Sequence, residues 1–288
     1  MNRVDLMVVD VSAVCHAAKH ALGKTKLSHD DKPTFVIYGF LHKLLYLYTR
    51  LHPKIVVFAC DSKTSLRKEV FPAYKEKRSN TSDKTEEERE LDRIAIKQFK
   101  EIRKSVLPAM GYTNIFLTKG LEGDDVMASL CQSYAHLSIV LVTRDRDMYQ
   151  LLTPSVSIFD PQTKKLFTSN DFISTFGITP AQWVHVKQIA GCSTDEVPGV
   201  KGVKEKTAIK YLLGTLKPHT LAYKAIEESR ELAKFNKQLV KLPFKGTPQY
   251  QILPYRIKRQ DVRDMCTEYG FNSIIEELHV WSEFMNMV

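Results

Sequence analysis

Residues Gly120–Asp147, GLEGDDVMASLCQSYAHLSIVLVTRDRD, decide how this chain is read. Glu122, Asp124 and Asp125 sit where a loop becomes a helix whose buried face is Val126, Met127, Leu130 and Cys131. Ile139-Val140-Leu141-Val142 follows as a short buried strand, with Asp145 and Asp147 just past its end. Acids at a helix start complement the helix dipole, worth under about 1 kcal/mol each. That accounts for one acidic group but not for a second one after the next strand. Ligands gather at the carboxyl ends of strands in open α/β sheets, so two groups on one edge point to a divalent-metal site.

Two further stretches repeat the pattern. Asp5–Asp10, DLMVVD, and Lys54–Asp61, KIVVFACD, are apolar strands that each end in an acid. With the strand before Asp145 they place three carboxylate sites on one sheet edge. The alternation of strands and helices predicts an α/β fold with a central, mostly parallel sheet, helices on both faces and right-handed crossovers. Helices are expected over 12–21, 33–51 and 86–106, and the loop 23–32 is polar. The GKT at Gly23 is no phosphate loop, because position 18 is alanine where that motif needs glycine. A phosphatase-type DxD also fails, since Asp10 is followed by Val11 and Ser12.

The composition is that of an ordinary globular chain, 43% hydrophobic and 26% charged over 288 residues. No apolar run approaches the roughly 20 residues that span a bilayer, and no signal peptide opens the sequence. Five cysteines without metal or disulfide spacing suggest a reducing cytoplasm. The net charge of +9 is uneven: residues 201–263 carry 15 Lys/Arg against 5 Asp/Glu, and residues 63–78 carry 6 against 2. A basic surface beside an acidic pocket suits a polyanion brought to metal ions. In Gly191–Leu212, GCSTDEVPGVKGVKEKTAIKYL, a Pro198-Gly199 and Gly202 turn joins two helices. Its exposed N–H groups, helped by Lys201, Lys204 and Lys206 and followed by Thr207, form a phosphate seat that reads backbone rather than sequence. A short strand pair is expected near Gln251–Tyr255, and an amphipathic helix–turn–helix over 266–278 ahead of an apolar tail.

These residues resemble the 5′-nuclease (flap endonuclease) family along nearly the whole chain. The likeness runs through Asp10, the PT…YGF start at Pro33, Thr34 and Tyr38–Phe40, Asp61, and the arch motif at Arg67, Glu69, Phe71, Tyr74, Lys75 and Arg78. It continues through E-x-DD at Glu122, Asp124 and Asp125, D-x-D at Asp145 and Asp147, the hairpin at Asp195, Pro198, Gly199, Gly202, Lys206, Thr207 and Ala208, and the YGF ending at Tyr269–Leu278.

The resemblance implies a PIN-like nuclease core over 1–180, with a helical arch at about 62–103. A helical DNA-binding region over 181–288 would carry the helix-hairpin-helix motif at about 191–213. It implies a structure-selective 5′-3′ exonuclease and flap endonuclease, removing RNA primers in replication or repair by a two-metal-ion mechanism. One Mg²⁺ would rest on Asp10, Asp61, Glu122, Asp124 and Asp125, and a second on Asp145, Asp147 and Asp195. Mn²⁺ would substitute, and K⁺ is expected at the hairpin. Lys75 and Arg67 would touch the scissile phosphate. Tyr38, Arg78, Gly199, Lys201, Gly202, Lys204, Lys206 and Thr207 would bind DNA. The expected partners are flapped, branched or nicked DNA and RNA–DNA hybrid. The chain is expected to act as a stand-alone monomer in the cytoplasm of a bacterial or phage-infected cell, associated with the nucleoid.

The sequence departs from the family pattern at Cys192, where an aspartate is expected, at Glu196 in place of asparagine, and at Lys204 in place of glycine. A thiol is a poor Mg²⁺ ligand, so the second ion is expected to bind weakly or as Mn²⁺, with Glu196 compensating in part. The alternative function is a branched-DNA-binding protein with weakened or lost catalysis.

Overall fold

The computed structural model describes residues 4–25, 27–77, 82, 84–285 and 287. Its strands are β1 (Leu6–Asp10), β2 (Ser28–His29), β3 (Lys32–Pro33), β4 (Ile55–Ala59), β5 (Ile115–Phe116), β6 (Ile139–Val142), β7 (Val156–Asp160) and β8 (Lys165–Phe167). Six of them form one sheet in the order β5-β4-β1-β6-β7-β8, while β2 and β3 form a small hairpin. All pairings in the large sheet are parallel except β7 with β8. The chain first builds outward from β1 to β4 and β5, then returns to lay β6 on the other side of β1. This reversal opens a crevice beyond the ends of β1 and β6, the usual place for a ligand in such sheets.

The helices are α1 (Val11–Leu22), α2 (Phe35–Leu51), α3 (Arg67–Val70), α4 (Glu86–Glu101), α5 (Leu107–Ala109), α6 (Gly123–Ser133) and α7 (Ser169–Phe176). They continue with α8 (Trp183–Ala190), α9 (Glu205–Leu212), α10 (Leu221–Glu228), α11 (Arg230–Val240), α12 (Arg259–Glu268), α13 (Asn272–Glu276) and α14 (Leu278–Phe284). The period-two alternation of the strands sorts them into two layers. Met7, Val9, Val56, Phe58, Val140 and Val142 meet α1, α2, α5 and the C-terminal helices. Leu6, Val8, Val57, Ala59, Ile139 and Leu141 meet α6, α8 and residues as distant as Ala208 and Ile226. The region beyond residue 180 therefore shares both cores with the sheet.

Several sequence expectations change in detail. The helix expected to end at Val106 continues: α4 passes through a π-turn at Ile102–Val106 into α5. Residues 251–258 form no strand pair. Their polar backbone is met by side chains instead, with the Asn114 amide bonded to the N–H and C=O of Leu253 and Tyr134 Oη accepting from Ile252 N–H. The segment expected as an arch is fastened at both ends. Arg67 and Tyr74 are buried near its start, and near its end Gln98 Oε1 accepts from the Val36 and Ile37 N–H groups at the start of α2. The apolar tail packs back, with Trp281 fully buried.

Candidate metal centre and nucleic-acid groove

Asp10 closes β1 and caps α1, and its position follows from the strand. Its Oδ1 accepts from Ala13 N–H at 2.9 Å and its Oδ2 from Thr143 Oγ1, past the end of β6, at 3.0 Å. Asp61, two residues beyond β4, accepts from Gly123 N–H at 2.8 Å and Ser12 Oγ at 2.5 Å. Asp124 projects from the first turn of α6. The bonds that hold Asp10 and Asp61 come from neutral donors. No cation offsets burial and like charge there: burial first and then Asp61 push the Asp10 carboxyl up to about 7. Burial and then Asp145, Asp10 and Asp61 hold Asp124 well above the ordinary carboxylate range. Mutually repelling carboxylates with only hard oxygen donors are the donor set that Mg²⁺ takes.

Glu122 joins this group to a second one. Lys75 Nζ lies 2.7 Å from Glu122 Oε2 and 3.9 Å from Asp195 Oδ2. Tyr74 Oη bonds to the same two carboxylates at 3.2 and 3.3 Å. Lys75 is held there by a left-handed backbone, φ +52°, and by its N–H on the Asp195 carbonyl at 3.1 Å. Such a backbone is uncommon for a residue with a side chain, and it sets the ammonium between the two groups.

Two expected site residues have other work. Arg67 and Asp125 form a two-pronged ion pair, both contacts 2.7 Å, and they are only 2% and 0% exposed. Arg67 Nε donates to the Leu239 carbonyl, while Asp125 also accepts from Phe244 N–H and Glu122 N–H. The acceptor positions of Asp125 are thus committed to protein donors, so it is no metal ligand. The guanidinium is sealed inside, so Arg67 does not reach a phosphate. Consecutive helix residues point about 100° apart, which sends Asp124 to the cleft and Asp125 to the interior.

The second group is assembled differently. Asp147, Cys192 and Asp195 present ligand atoms within 4.8 Å of one another, while Asp145 is exposed beside them and accepts from Asp147 N–H. Lys187, on α8, places Nζ 2.8 Å from Asp147 Oδ1 and 3.4 Å from Glu205 Oε1, with its side chain 8% exposed. Burial opposes its charge most, but Asp147 with Cys192 and Glu205 together hold the ammonium above its ordinary range. Burial, Asp147 and Asp195 raise the Cys192 thiol, so its sulfur keeps its proton at neutral pH. Glu196 follows in a left-handed conformation, φ +56°, and is not among the three clustered ligands. A thiol in place of a carboxylate leaves this group one hard oxygen donor short for Mg²⁺.

Beside this group a groove of about 1380 Å³ runs along the hairpin between α8 and α9. Its lining includes Gly199, Lys201, Gly202, Lys204, Lys206 and Thr207, six of the residues expected to bind DNA. The hairpin needs its glycine: a Cβ at Gly199 would stand 2.1 Å from the Ala190 carbonyl oxygen. Tyr38 lies elsewhere, bonded to Ser273 Oγ at 3.0 Å and packed on His42 and Phe271. Arg78 lies outside the described residues. Lys187 and Thr143, which the sequence reading missed, are brought in by folding across 40 and 133 residues, to Asp147 and Asp10. Nothing in their local sequence announces it.

Comparison with known proteins gives one consistent answer. The family model described as "5′-3′ exonuclease, N-terminal resolvase-like domain" matches residues 5–177. A 5′-3′ exonuclease of Aquifex aeolicus is 27% identical over 90% of this chain and 86% of its own length. The thermostable DNA polymerase I of Thermus thermophilus is 33% identical over 72% of this chain, but only 24% of that protein. The fold is similar to that of T5 5′-exonuclease with bound zinc, with TM-score 0.72, 24% identity, and coverage of 83% of this chain and 90% of that one. It is also similar to the T5 flap endonuclease in a pseudo-enzyme-product complex with DNA and metal ions, with TM-score 0.72, 23% identity and coverage of 83% and 89%.

Proposed function

The chain belongs to the 5′-3′ exonuclease family, and on that premise we propose that it is a Mg²⁺-dependent, structure-selective 5′-nuclease cutting at 5′ ends, flaps, nicks and RNA primers. One observation carries this reading: Asp10, Asp61 and Asp124 converge past the sheet edge under mutual repulsion, next to a groove lined by Lys187, Lys201, Lys204 and Lys206.

Asp10, Asp61, Glu122 and Asp124 would hold the ion. Bound there, Mg²⁺ supplies an activated water and neutralises phosphate charge. Lys75, fixed on Glu122, adds a positive charge where the scissile phosphate would lie, and water-poor surroundings strengthen it. The hairpin would grip the duplex through its sugar-phosphate backbone, independent of sequence. These ligands and the hairpin come from one chain, so a monomer suffices. Primer removal during replication in the cytoplasm suits such an activity. Among the described residues no helix is long and apolar enough to cross a membrane.

A 5′-labelled flap incubated with Mg²⁺, Mn²⁺ or chelator tests the proposal. Metal-dependent release of short 5′ products is expected. Tight binding without cleavage would instead establish the branched-DNA-binding reading, which the Cys192 substitution favours. Duplex binding in K⁺ against Na⁺ at constant ionic strength tests the monovalent ion expected at the hairpin.

A further inference from the structure

We propose that the second half of the cleft is served by the Lys187 ammonium instead of a second divalent ion, with Cys192 as the residue that keeps the ion out. The enzyme would then hold one Mg²⁺ per chain. The inference rests on the nuclease reading above.

Its ground is the way two acids of that half, Asp147 and Asp195, are already matched, while the third, Asp145, accepts from Asp147 N–H. Asp147 has the Lys187 ammonium at 2.8 Å, and Asp195 has Tyr74 Oη at 3.3 Å with the Lys75 ammonium at 3.9 Å. Lys187 is almost wholly enclosed and tied on its other side to Glu205, itself anchored at the start of α9 and paired with Arg146 at 2.9 Å. A dication placed on Asp147 would therefore face an ammonium that has little room to withdraw. The ligand atoms of Asp147, Cys192 and Asp195 still cluster within 4.8 Å, so the size of the cage is not what excludes the ion. What is missing is one hard donor, since the sulfur at position 192 does not supply the oxygen that Mg²⁺ requires. The Lys187 ammonium, 2.8 Å from Asp147, supplies a positive charge in that half without an ion.

Electron paramagnetic resonance of bound Mn²⁺, a hard divalent probe, counts the ions on the full chain. One ion per chain is expected for the wild type and two for Cys192→Asp. Two ions on the wild type would overturn the inference while leaving the nuclease reading intact. A Cys192→Asp chain that still binds one would overturn the assignment of Cys192. No ion on the wild type would overturn the nuclease reading itself. The wild-type count decides the main claim even if the variant does not fold.

Discussion

Asp10 and Asp61 at one half of the cleft are held by Ala13 N–H, Thr143, Ser12 and Gly123 N–H, all neutral. Asp147 and Asp195 at the other half face Lys187, Lys75 and Tyr74. Both halves lie past the same sheet edge and are rich in the same residue type, yet Asp10 and Asp61 meet only neutral donors while Asp147 carries a close ammonium, and Lys75 bridges the halves from Glu122 to Asp195. Uncompensated charge invites a cation and raises carboxyl pKa values, while internal compensation removes the reason for one. Acidic residues near each other are therefore not enough to define a metal site, because the neighbouring cations decide.

The strongest way to break this contrast is by paired substitution. Asp124→Asn should lower flap cleavage by about 1000-fold while binding persists, since ion and charge stabilisation are both lost. Asp147→Asn should cost about tenfold, on the same scale of transition-state effects. Equal losses, measured as single-turnover rates, would erase the distinction between the halves.

A second pair separates scaffold from chemistry. Arg67→Met should destabilise the fold by about 3–5 kcal/mol, because it strands the buried Asp125 carboxylate. Urea unfolding reads this loss directly. Lys75→Met, which takes from Glu122 its closest cation, should cost less stability than Arg67→Met because Lys75 is less deeply buried, but lower the cleavage rate by about 100-fold.

The pH response sharpens the first half alone. The Asp10 carboxyl, at about 7 when folded against an ordinary 3.8, favours the fold when protonated. Its contribution is complete below 3.8 and is lost as pH rises through about 7. In chelator the melting temperature should therefore be higher near pH 5 than near pH 8, for the part due to this group. Mg²⁺ should raise it most at the alkaline end. Calorimetry with and without Mg²⁺ checks the sign. The smallest effect belongs to the groove: replacing Lys201 or Lys206 by Gln should reduce the slope of log affinity against log salt by about 0.9 each if each meets a phosphate.

Most of the fold was legible from strands that end in acids. The run Ile139–Val142 and its neighbours formed as expected because continuous apolar stretches bounded by polar residues have one good home, the interior of a parallel sheet. The strand β8 escaped notice because Lys165–Phe167 is only three residues long and largely exposed. At the site, Asp10, Asp61 and Asp124 could be read from strand and helix ends. The pairing of Asp125 with Arg67 could not, since it spans 58 residues and depends on which face of α6 turns inward. Lys187 was equally hidden: its partner on Asp147 lies 40 positions back, and only the packing of α8 beside the sheet edge joins them.

A crystal soaked in Mn²⁺ and measured at the manganese absorption edge tests the contrast most directly. One anomalous peak is expected, among Asp10, Asp61, Glu122 and Asp124, with Lys187 still on Asp147. A second peak of comparable height between Asp147, Cys192 and Asp195 would contradict it.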